Sequence, residues 1–354
     1  MRIESIDVLR GIAILGILIM NISFHNNLLT GYVHFEQPLL MDEILIFLQS
    51  LFADGKFRTL LCLMFGAGMA IQYDWCQKHN ANYTHFLKSR MHWLLIFGMF
   101  HITFIFGGDI LVLYSICGLM VISRLPLEQD TLLKKGKKHF IVGTILILLV
   151  LAAMLLSDLD APVIDRSAPD FVESVVEWRK GYTNQMIYQV SSLVFIFIAS
   201  FLFLVWQPLG IMLIGVYLYR SGFFTSGFSD KTFRKLLVIA IFSSLLTASP
   251  AFQSSTIDPF YILFLSSVSA IFVALVYAHL IVKFYTNKHW LIDTLSACGK
   301  LAFTLYLSQS IVMALLFRAM MPLVAPDFDY TVTMMDFILI SFAFIVIQMI
   351  FANW

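Results

Sequence analysis

The chain of 354 residues is 60% hydrophobic and only 13% charged, and its mean hydropathy is +0.86. A soluble domain is about half apolar and about a quarter charged, so this composition excludes a cytosolic enzyme and a secreted disulfide scaffold. The formal net charge of +1 provides no long-range field to attract a polyanion, which excludes a nucleic-acid partner. Long apolar runs predict an all-α polytopic membrane protein rather than a β-barrel.

Apolar stretches recur along the whole chain and predict about ten transmembrane helices. They comprise residues 6–24, 57–73, 92–106, 109–123, 140–156, 188–219, 236–249, 260–284, 301–317 and 332–351. The sixth stretch is too long for one crossing and contains Gln207, Pro208 and Gly210, so it is either one broken helix or a crossing with a re-entrant hairpin. A single crossing puts every strongly basic loop on one side, and the positive-inside rule then predicts that both termini are cytoplasmic.

Two further segments lie outside these stretches. Residues 41–53 are apolar at helical spacing but too short to span, and they predict an interfacial helix on the outer side. The outer loop 157–187 is acidic, and its part from Asp170 to Gln185 predicts a surface helix. The chain 1–354 therefore forms a single integral membrane domain. The four cysteines have no metal-ligand spacing, so we predict no metal site.

Two predicted spans carry an arginine at the cytoplasmic end and a polar residue eleven positions later. The pairs are Arg10 with Asn21, beside Asp7, and Arg90 with His101. Eleven residues are about three helical turns, so the members of each pair share one helix face. This pattern indicates that the arginines bind an anionic ligand while the deeper residues point at its reacting end. The alternatives are snorkelling of the arginines to lipid phosphates and hydrogen bonding between helices.

Asp109 begins the fourth span and has two possible roles. It is a candidate N-cap of that helix, and it is also the nearest carboxylate in sequence that is able to orient the His101 imidazole as a general base. Three residues of the first outer loop are alternative bases, namely His25, His34 and Glu36.

Polar residues at the start of the second span and within the ninth are further candidates. Lys56 and Arg58 precede the FGAG motif (65–68) on the predicted outer side. They are candidates to bind an anionic headgroup or acceptor, and the alternative is that their side chains extend to the membrane interface. Lys300 begins the ninth stretch at the cytoplasmic side. Tyr306 and Gln309 belong to a polar stripe there that must line a cavity or a packed interface.

Four sequence blocks together carry a resemblance that covers most of the chain. They are RIESIDVLRGIAILGILIMNI, GKFRTLLCLMFGAGMAI, the run from Arg90 through GMFHITFIFGGDILVLYSICG, and GKLAFTLYLSQS. They resemble the YeiB-like family of bacterial membrane proteins, whose conserved region is labelled domain of unknown function 418. The resemblance implies a multi-pass protein of the bacterial cytoplasmic (inner) membrane. Family members usually continue into a Gly-Pro-Leu-Glu-Trp-Leu-Trp-Arg-like tail, and this tail is expected to be absent here.

The first span is also similar to those of the acyltransferase type three family and of heparan-α-glucosaminide N-acetyltransferase. The shared Asp-x-x-Arg-Gly pattern is Asp7, Arg10 and Gly11. This resemblance implies a transmembrane acyltransferase-like bundle, in which acyl-CoA such as acetyl-CoA enters from the cytoplasm and an envelope glycan, lipid or small molecule accepts the acyl group. The type three family has a catalytic His where this sequence has Asn21. Because an amide cannot accept a proton as His does, we expect the base to be His101.

The first functional hypothesis is therefore an acyltransferase. Its predicted residues are His101, Asp109 and Asn21 for catalysis, Arg10, Arg90, Asp7 and Gln309 for acyl-CoA, and Lys56, Arg58 and Tyr306 for the second substrate. The alternatives are a transporter or flippase that uses the broken sixth segment as a path, and a non-catalytic membrane protein whose partners are lipids.

Overall fold

A computed structural model describes residues 3–157, 165–251, 259–285 and 289–354 of the chain. Every regular element in these ranges is a helix. The α-helices are α1 (Glu4–Asn26), α2 (Leu40–Phe52), α3 (Lys56–Lys78), α4 (Tyr83–Phe104), α5 (Leu111–Ile122), α6 (Gln129–Ser157), α7 (Pro169–Arg179), α8 (Tyr182–Ala199), α9 (Trp206–Arg220), α10 (Phe223–Ser226), α11 (Asp230–Ala248), α12 (Pro259–Phe284), α13 (Trp290–Lys300), α14 (Ala302–Ala314), α15 (Met321–Val324), α16 (Phe328–Thr331) and α17 (Met334–Ala352). Two π-helical segments, Ser200–Leu204 and Leu315–Met320, follow α8 and α14.

The expectation of an all-helical membrane protein is confirmed, but the predicted number of spans is not. Within the described residues, seven helical segments are long and apolar enough to cross a membrane: Glu4–Asn26, Gln129–Leu156, Leu202–Arg220, Asp230–Ala251, Phe264–Phe284, Ala302–Val324 and Met334–Ala352. The other three predicted spans coincide with α3, α4 and α5. Charged and polar residues interrupt the apolar runs of α3 and α4, and α5, with 12 residues, rises only about 18 Å.

The long sixth segment is one broken helix and not a hairpin. The chain passes from α8 through Ser200–Leu204 into α9, and Val205 at the junction keeps helical backbone angles (φ −72°, ψ −29°). Pro208 lies in the first turn of α9, where its missing N–H removes no hydrogen bond within that helix. The interruption that the sequence indicated is therefore a π-helical segment.

Two predicted surface segments also form helices. α2 occupies almost the same residues as the predicted interfacial helix and, with 13 residues, is too short to span; its place at the membrane interface stays a prediction. α7 lies inside the loop 157–187 that is predicted to face the outer side, and residues 158–164 of that loop lie outside the described ranges.

α1 is the central helix of the bundle. In the most apolar stretch of α1, 78% of the residues are buried, whereas the corresponding shares are 17% in α6 and 22% in α17. The apolar side chains of α6 and α17 therefore face outward, as expected of helices that contact lipid. α1 crosses α13 at Gly11 and Gly299, where the two backbones are in close contact. A Cβ on Gly11 would lie 2.0 Å from the Leu295 carbonyl oxygen, and a Cβ on Gly299 would lie 1.7 Å from the Asp7 carbonyl oxygen, so a larger residue does not fit at either position. This close crossing brings the last residue of α13, Lys300, beside the first turns of α1.

Candidate functional site

A cavity of about 410 Å³ lies among α1, α3, α4, α5 and the α13–α14 junction. Three of its lining residues are the cations Arg10, Arg90 and Lys300, each from a different helix, and we call it the cationic cavity. Arg10 is half-buried whereas Arg90 and Lys300 are exposed, so the charges lie at the mouth. Most of the remaining wall is apolar and includes Leu61, Met64 and Leu94. Arg10 and Arg90, the two predicted ligands of an anion, thus line the same cavity.

The FGAG motif makes room for the Arg10 side chain. A Cβ on Gly68 would lie 2.9 Å from Nη2 of Arg10, so this glycine leaves the guanidinium its place in the cavity. Gly66 has a different role, because a Cβ there would lie 2.0 Å from the Met212 carbonyl oxygen of α9. Asp7 is buried, and its Oδ1 accepts a hydrogen bond of 3.3 Å from Nη1 of Arg10. Asp7 therefore orients the arginine and is not among the residues that line the cavity.

The inner end of the cationic cavity leads to a group of three buried polar residues. Tyr306 lines the cavity, and its hydroxyl donates a hydrogen bond of 2.8 Å to Oδ1 of Asp109. Nδ1 of His101 lies 3.1 Å from the same carboxylate oxygen. All three residues are at most 3% exposed. We call His101, Asp109 and Tyr306 the buried trio.

Asp109 contacts both the start of α5 and His101, although the N-cap residue of α5 is Ile110, and its role toward a catalytic base stays a prediction. α4 ends at Phe104, the chain turns through Gly107 and Gly108, and Oδ2 of Asp109 accepts a hydrogen bond of 2.9 Å from the Leu111 amide at the start of α5. Oδ1 is left for His101 and Tyr306. The helix start thereby holds the carboxylate against the imidazole.

The His101 imidazole is close to the carboxylate without a directed hydrogen bond. Nδ1 lies 3.1 Å from the carboxylate oxygen, yet neither Nδ1 nor Nε2 has hydrogen-bond geometry to any described residue. The ring also lies 5.3 Å from the Tyr306 ring, between centroids. Both nitrogens thus retain hydrogen-bonding capacity, which a proton acceptor needs.

Two predicted residues lie elsewhere. Gln309 is buried, and its amide donates to the Ile14 carbonyl oxygen at 3.0 Å and to the Gln348 side chain at 2.8 Å, so it joins α14 to α1 and α17. Asn21 is half-buried on α1. Neither is among the residues that line the cationic cavity, although Asn21 shares the helix face of Arg10. The structure thus brings together His101, Asp109, Tyr306, Arg10 and Arg90 but not these two amides.

Lys56 and Arg58, predicted together with Tyr306 to bind a second substrate, are not among the residues of the cavity that Tyr306 lines. Lys56 is completely buried and donates to the Ser50 carbonyl oxygen, which fixes the turn between α2 and α3. Arg58 is half-buried, and its backbone carbonyl accepts a hydrogen bond of 2.8 Å from the Tyr114 hydroxyl. Neither side chain is among those that line the cationic cavity.

The alternative bases are also distant from the cationic mouth. His25 stacks on Phe106 with ring centroids 3.8 Å apart, and Glu36 is exposed. His34 lies in the loop after α1, where burial lowers its pKa from the ordinary value and favours the neutral ring. None of the three is among the residues around the cationic cavity.

A second cavity, of about 540 Å³, lies at the opposite end of the bundle, and we call it the outer cavity. It lies among the end of α4, the start of α8 and the α14–π segment, with Arg179 and Arg318 in its wall. Phe104 lines the outer cavity three residues after His101, a helical rise of about 4.5 Å. Ile311 also lines it, five residues after Tyr306, a rise of about 7.5 Å. The buried trio therefore separates the two cavities. Arg318 was not identified from the sequence, although an arginine within an apolar run is itself a signal.

Comparison with known proteins shows which proteins this chain is similar to. The chain is 28% identical over 334 residues to Uncharacterized protein YeiB of Escherichia coli (strain K12), covering 89% of this chain and 83% of that protein. It is 26% identical over 348 residues to Uncharacterized protein YxaH of Bacillus subtilis (strain 168), covering 89% and 81%. Residues 218–354 match the family model described as Protein of unknown function (DUF418). The carboxyl-terminal part of the chain thus matches the DUF418 model, and most of the chain is similar to YeiB and YxaH.

The DUF418 match includes Lys300 and Tyr306 but neither Arg10 nor His101, which precede residue 218. The similarity to YeiB and YxaH extends over most of the chain, so the cationic cavity is built from both the matched region and the part before it. No solved structure matches this chain. The family description names no activity, and the resemblance to acyltransferases stays a prediction.

Proposed function

We propose that this protein is a membrane-embedded acyltransferase, which moves an acyl group from acyl-CoA to a hydroxyl group of an envelope glycan or lipid. One observation supports the proposal above the others: the cavity whose mouth carries Arg10, Arg90 and Lys300 ends at Tyr306, which is hydrogen-bonded to the Asp109 beside His101. A site for an anionic ligand therefore lies in the same cavity as Tyr306, which connects it through Asp109 to the candidate base His101.

The mouth of the cavity suits the phosphates of coenzyme A. Arginine and lysine form charge-assisted hydrogen bonds to phosphate, and arginine is able to bind two phosphate oxygens at once. Arg90 and Lys300 are exposed at the mouth, whereas Arg10 is half-buried and aligned by Asp7. The apolar wall beyond them suits the pantetheine arm and a short acyl chain.

The buried trio supplies a route for the proton of the acceptor. The acceptor oxygen attacks the thioester carbonyl carbon, the C–S bond breaks, and coenzyme A leaves as a thiolate. The acceptor proton passes to the Tyr306 hydroxyl as that hydroxyl releases its own proton through Asp109 to His101. The His101 imidazolium then returns its proton through Asp109 and Tyr306 to the thiolate, so the products are the acyl ester and free coenzyme A, and the trio regains its starting state. Asp109 stabilises the imidazolium and holds the ring, as carboxylates do beside catalytic histidines.

The position of the trio suits transfer between the two sides of a membrane. The donor enters from the cationic cavity, and the acceptor approaches from the outer cavity. In the orientation predicted by the positive-inside rule, these cavities face the cytoplasm and the outer leaflet.

Binding of acetyl-CoA to the purified full chain in detergent tests the donor site. Calorimetry should detect binding, and Arg10→Ala should weaken it about tenfold or more, since a hydrogen bond to a charged group contributes about 1.5–3 kcal/mol. Arg234→Ala is the matched control, because Arg234 is an exposed arginine on α11 and is not among the residues around the cavity. Equal loss in both variants, or no binding by the folded wild-type chain, would overturn the proposal.

A transporter is the second candidate, because two cavities face each other across the buried trio. A transporter should move its substrate across proteoliposomes without an acyl donor. An acyltransferase should instead release free coenzyme A when an acceptor is present, and His101→Asn should abolish this release. His279→Asn is the matched control, since Asn keeps an acceptor for the Phe228 amide that His279 Nδ1 accepts at 3.0 Å.

A further inference from the structure

The outer cavity has walls that continue onto the lipid-facing surface of the bundle. Ile311 and Leu315, about one helical turn apart in the wall of the cavity, are 44% and 57% exposed and belong to the candidate span Ala302–Val324. Ala314 lies between them and contributes a small side chain to the same wall. A hydrocarbon chain in the adjacent leaflet therefore reaches this cavity without crossing a polar barrier.

Arg318 places a cation inside this apolar cavity. It belongs to the π-helical segment Leu315–Met320, a rare element that is frequent at functional sites. Its guanidinium lies over the Trp178 ring, 5.2 Å from the centroid, and Nη2 is 3.4 Å from the Gln189 side-chain oxygen. Nε and Nη1 are buried and have no hydrogen-bond partner among the described residues.

The second arginine of the cavity differs from Arg318 in this respect. Arg179 donates from Nε and Nη2 to the two carboxylate oxygens of Asp329, at 2.6 and 2.8 Å, and from Nη1 to the Phe317 carbonyl oxygen at 2.6 Å. Asn26 also donates to Asp329, at 2.8 Å. The carboxylate of this region is thus committed to Arg179 and Asn26, and no described carboxylate forms an ion pair with Arg318.

A guanidinium with two buried and unused donors is costly unless an anion completes its hydrogen bonds. The planar fork of arginine fits phosphate oxygens, and the apolar wall beside it fits an acyl chain. We propose that the outer cavity binds an anionic phospholipid, with its phosphate on Arg318 and one acyl chain along Ile311, Ala314 and Leu315. This site stands on its own geometry and does not depend on acyl transfer.

Three probes separate the headgroup from the chain in a binding experiment on the purified full chain in neutral detergent. Dioctanoyl-phosphatidylglycerol carries both parts, dioctanoylglycerol carries the chains alone, and inorganic phosphate carries the anion alone. We expect the phospholipid to bind at least ten times more tightly than either part. Equal affinity for dioctanoylglycerol would refute recognition of the phosphate, and equal affinity for inorganic phosphate would refute recognition of the chain.

Variants of two wall residues test the same site. Arg318→Gln should weaken phosphatidylglycerol binding about tenfold or more, as expected for loss of a charge-assisted hydrogen bond, while Arg318→Lys should retain more of it. Ala314→Phe should block the chain and weaken binding without removing the charge. Lys180→Gln is the control, because Lys180 is an exposed cation that pairs with Glu177.

Stability without lipid distinguishes a binding site from a structural arginine. Removal of an unpaired buried cation should leave the melting temperature of Arg318→Gln in neutral detergent equal to or above that of the wild type. Phosphatidylglycerol should then raise the melting temperature of the wild type more than that of the variant. A lower melting temperature of Arg318→Gln in neutral detergent, or an equal shift of both proteins with the lipid, would overturn the proposal. No acyl-CoA is present, so this result is independent of the test of acyl transfer.

Discussion

At the scale of single residues, Asp109 has the largest set of roles in the candidate site. One oxygen caps the first amide of α5, and the other lies against His101 and accepts from Tyr306. Sequence spacing alone indicated the contact with His101, since the two residues flank one short turn. It gave no indication of the bond to Tyr306, which is 197 residues away along the chain.

The buried trio predicts a separation between folding and turnover. Tyr306→Phe removes only the hydroxyl that donates to Asp109, so the protein should still fold with a loss of about 1–3 kcal/mol, while coenzyme A release falls about tenfold or more because the proton route is broken. Measurement of thermal stability, acetyl-CoA affinity and coenzyme A release on one preparation checks this.

The control for this variant is Tyr114→Phe, which removes a second tyrosine hydroxyl from the wall of the same cavity but leaves Asp109 untouched. Equal turnover in Tyr306→Phe and the wild type would remove Tyr306 from the proposed mechanism. Equal losses in both phenylalanine variants would show that the effect is a general one on the cavity wall.

Gln309 illustrates the limit of reasoning from residue type. An amide within a membrane helix is a candidate for ligand binding, and sequence analysis treated it so. The structure shows that both of its donors are used between helices. Whether such an amide binds a ligand or another helix depends on which carbonyl groups the neighbouring helices present, and local sequence does not contain that information.

At the scale of the elements, close helix crossings position the charged groups. The contact of α1 with α13 at Gly11 and Gly299 puts Arg10 and Lys300 at one mouth. The FGAG motif on α3 uses its glycines differently, with Gly66 against the backbone of α9 and Gly68 against the Arg10 guanidinium. Sequence analysis predicted close helix contact at this motif, but not that one glycine faces a cation.

Alanine substitutions at Gly68 and Gly66 should affect different properties, namely ligand affinity and stability. Gly68→Ala meets the flexible end of Arg10, so the fold should tolerate it while acetyl-CoA affinity falls several-fold as the guanidinium is displaced. Gly66→Ala meets backbone at 2.0 Å and should lower the free energy of unfolding by about 1–3 kcal/mol. Thermal shift and calorimetry on both variants check this, and unchanged affinity in Gly68→Ala would contradict the placement of Arg10.

At the scale of the whole molecule, the distribution of charge and apolar surface agrees with a bundle in a bilayer. The exposed faces of α6, α11 and α17 are apolar, with Leu149, Phe242 and Phe342 at least 60% exposed. α1, which contains Asp7 and Arg10, is instead central. The cationic cavity and the outer cavity lie at opposite ends of this bundle, so the orientation of the chain decides which side of the membrane each cavity faces.

Single cysteine labels test the predicted orientation. The four native cysteines are buried and free, so a membrane-impermeant maleimide should leave the wild type unlabelled. Lys180→Cys, in the outer loop, should label in intact spheroplasts because the lysine is exposed. Lys78→Cys, at the equally exposed end of α3, should label only after permeabilisation. The reverse pattern would contradict the orientation derived from the positive-inside rule.

The sequence by itself determined the helical membrane class, the positions of most helices and the candidate cations at one end of the bundle. These properties follow from local composition and from apolar periodicity, which act within one helix. The tertiary structure decided that Arg10, Arg90 and Lys300 share a cavity, that Tyr306 joins His101 and Asp109, that Gln309 is used in packing and that Arg318 keeps unused donors. These are contacts between helices far apart in the chain, and they depend on which side chains permit close approach at each crossing.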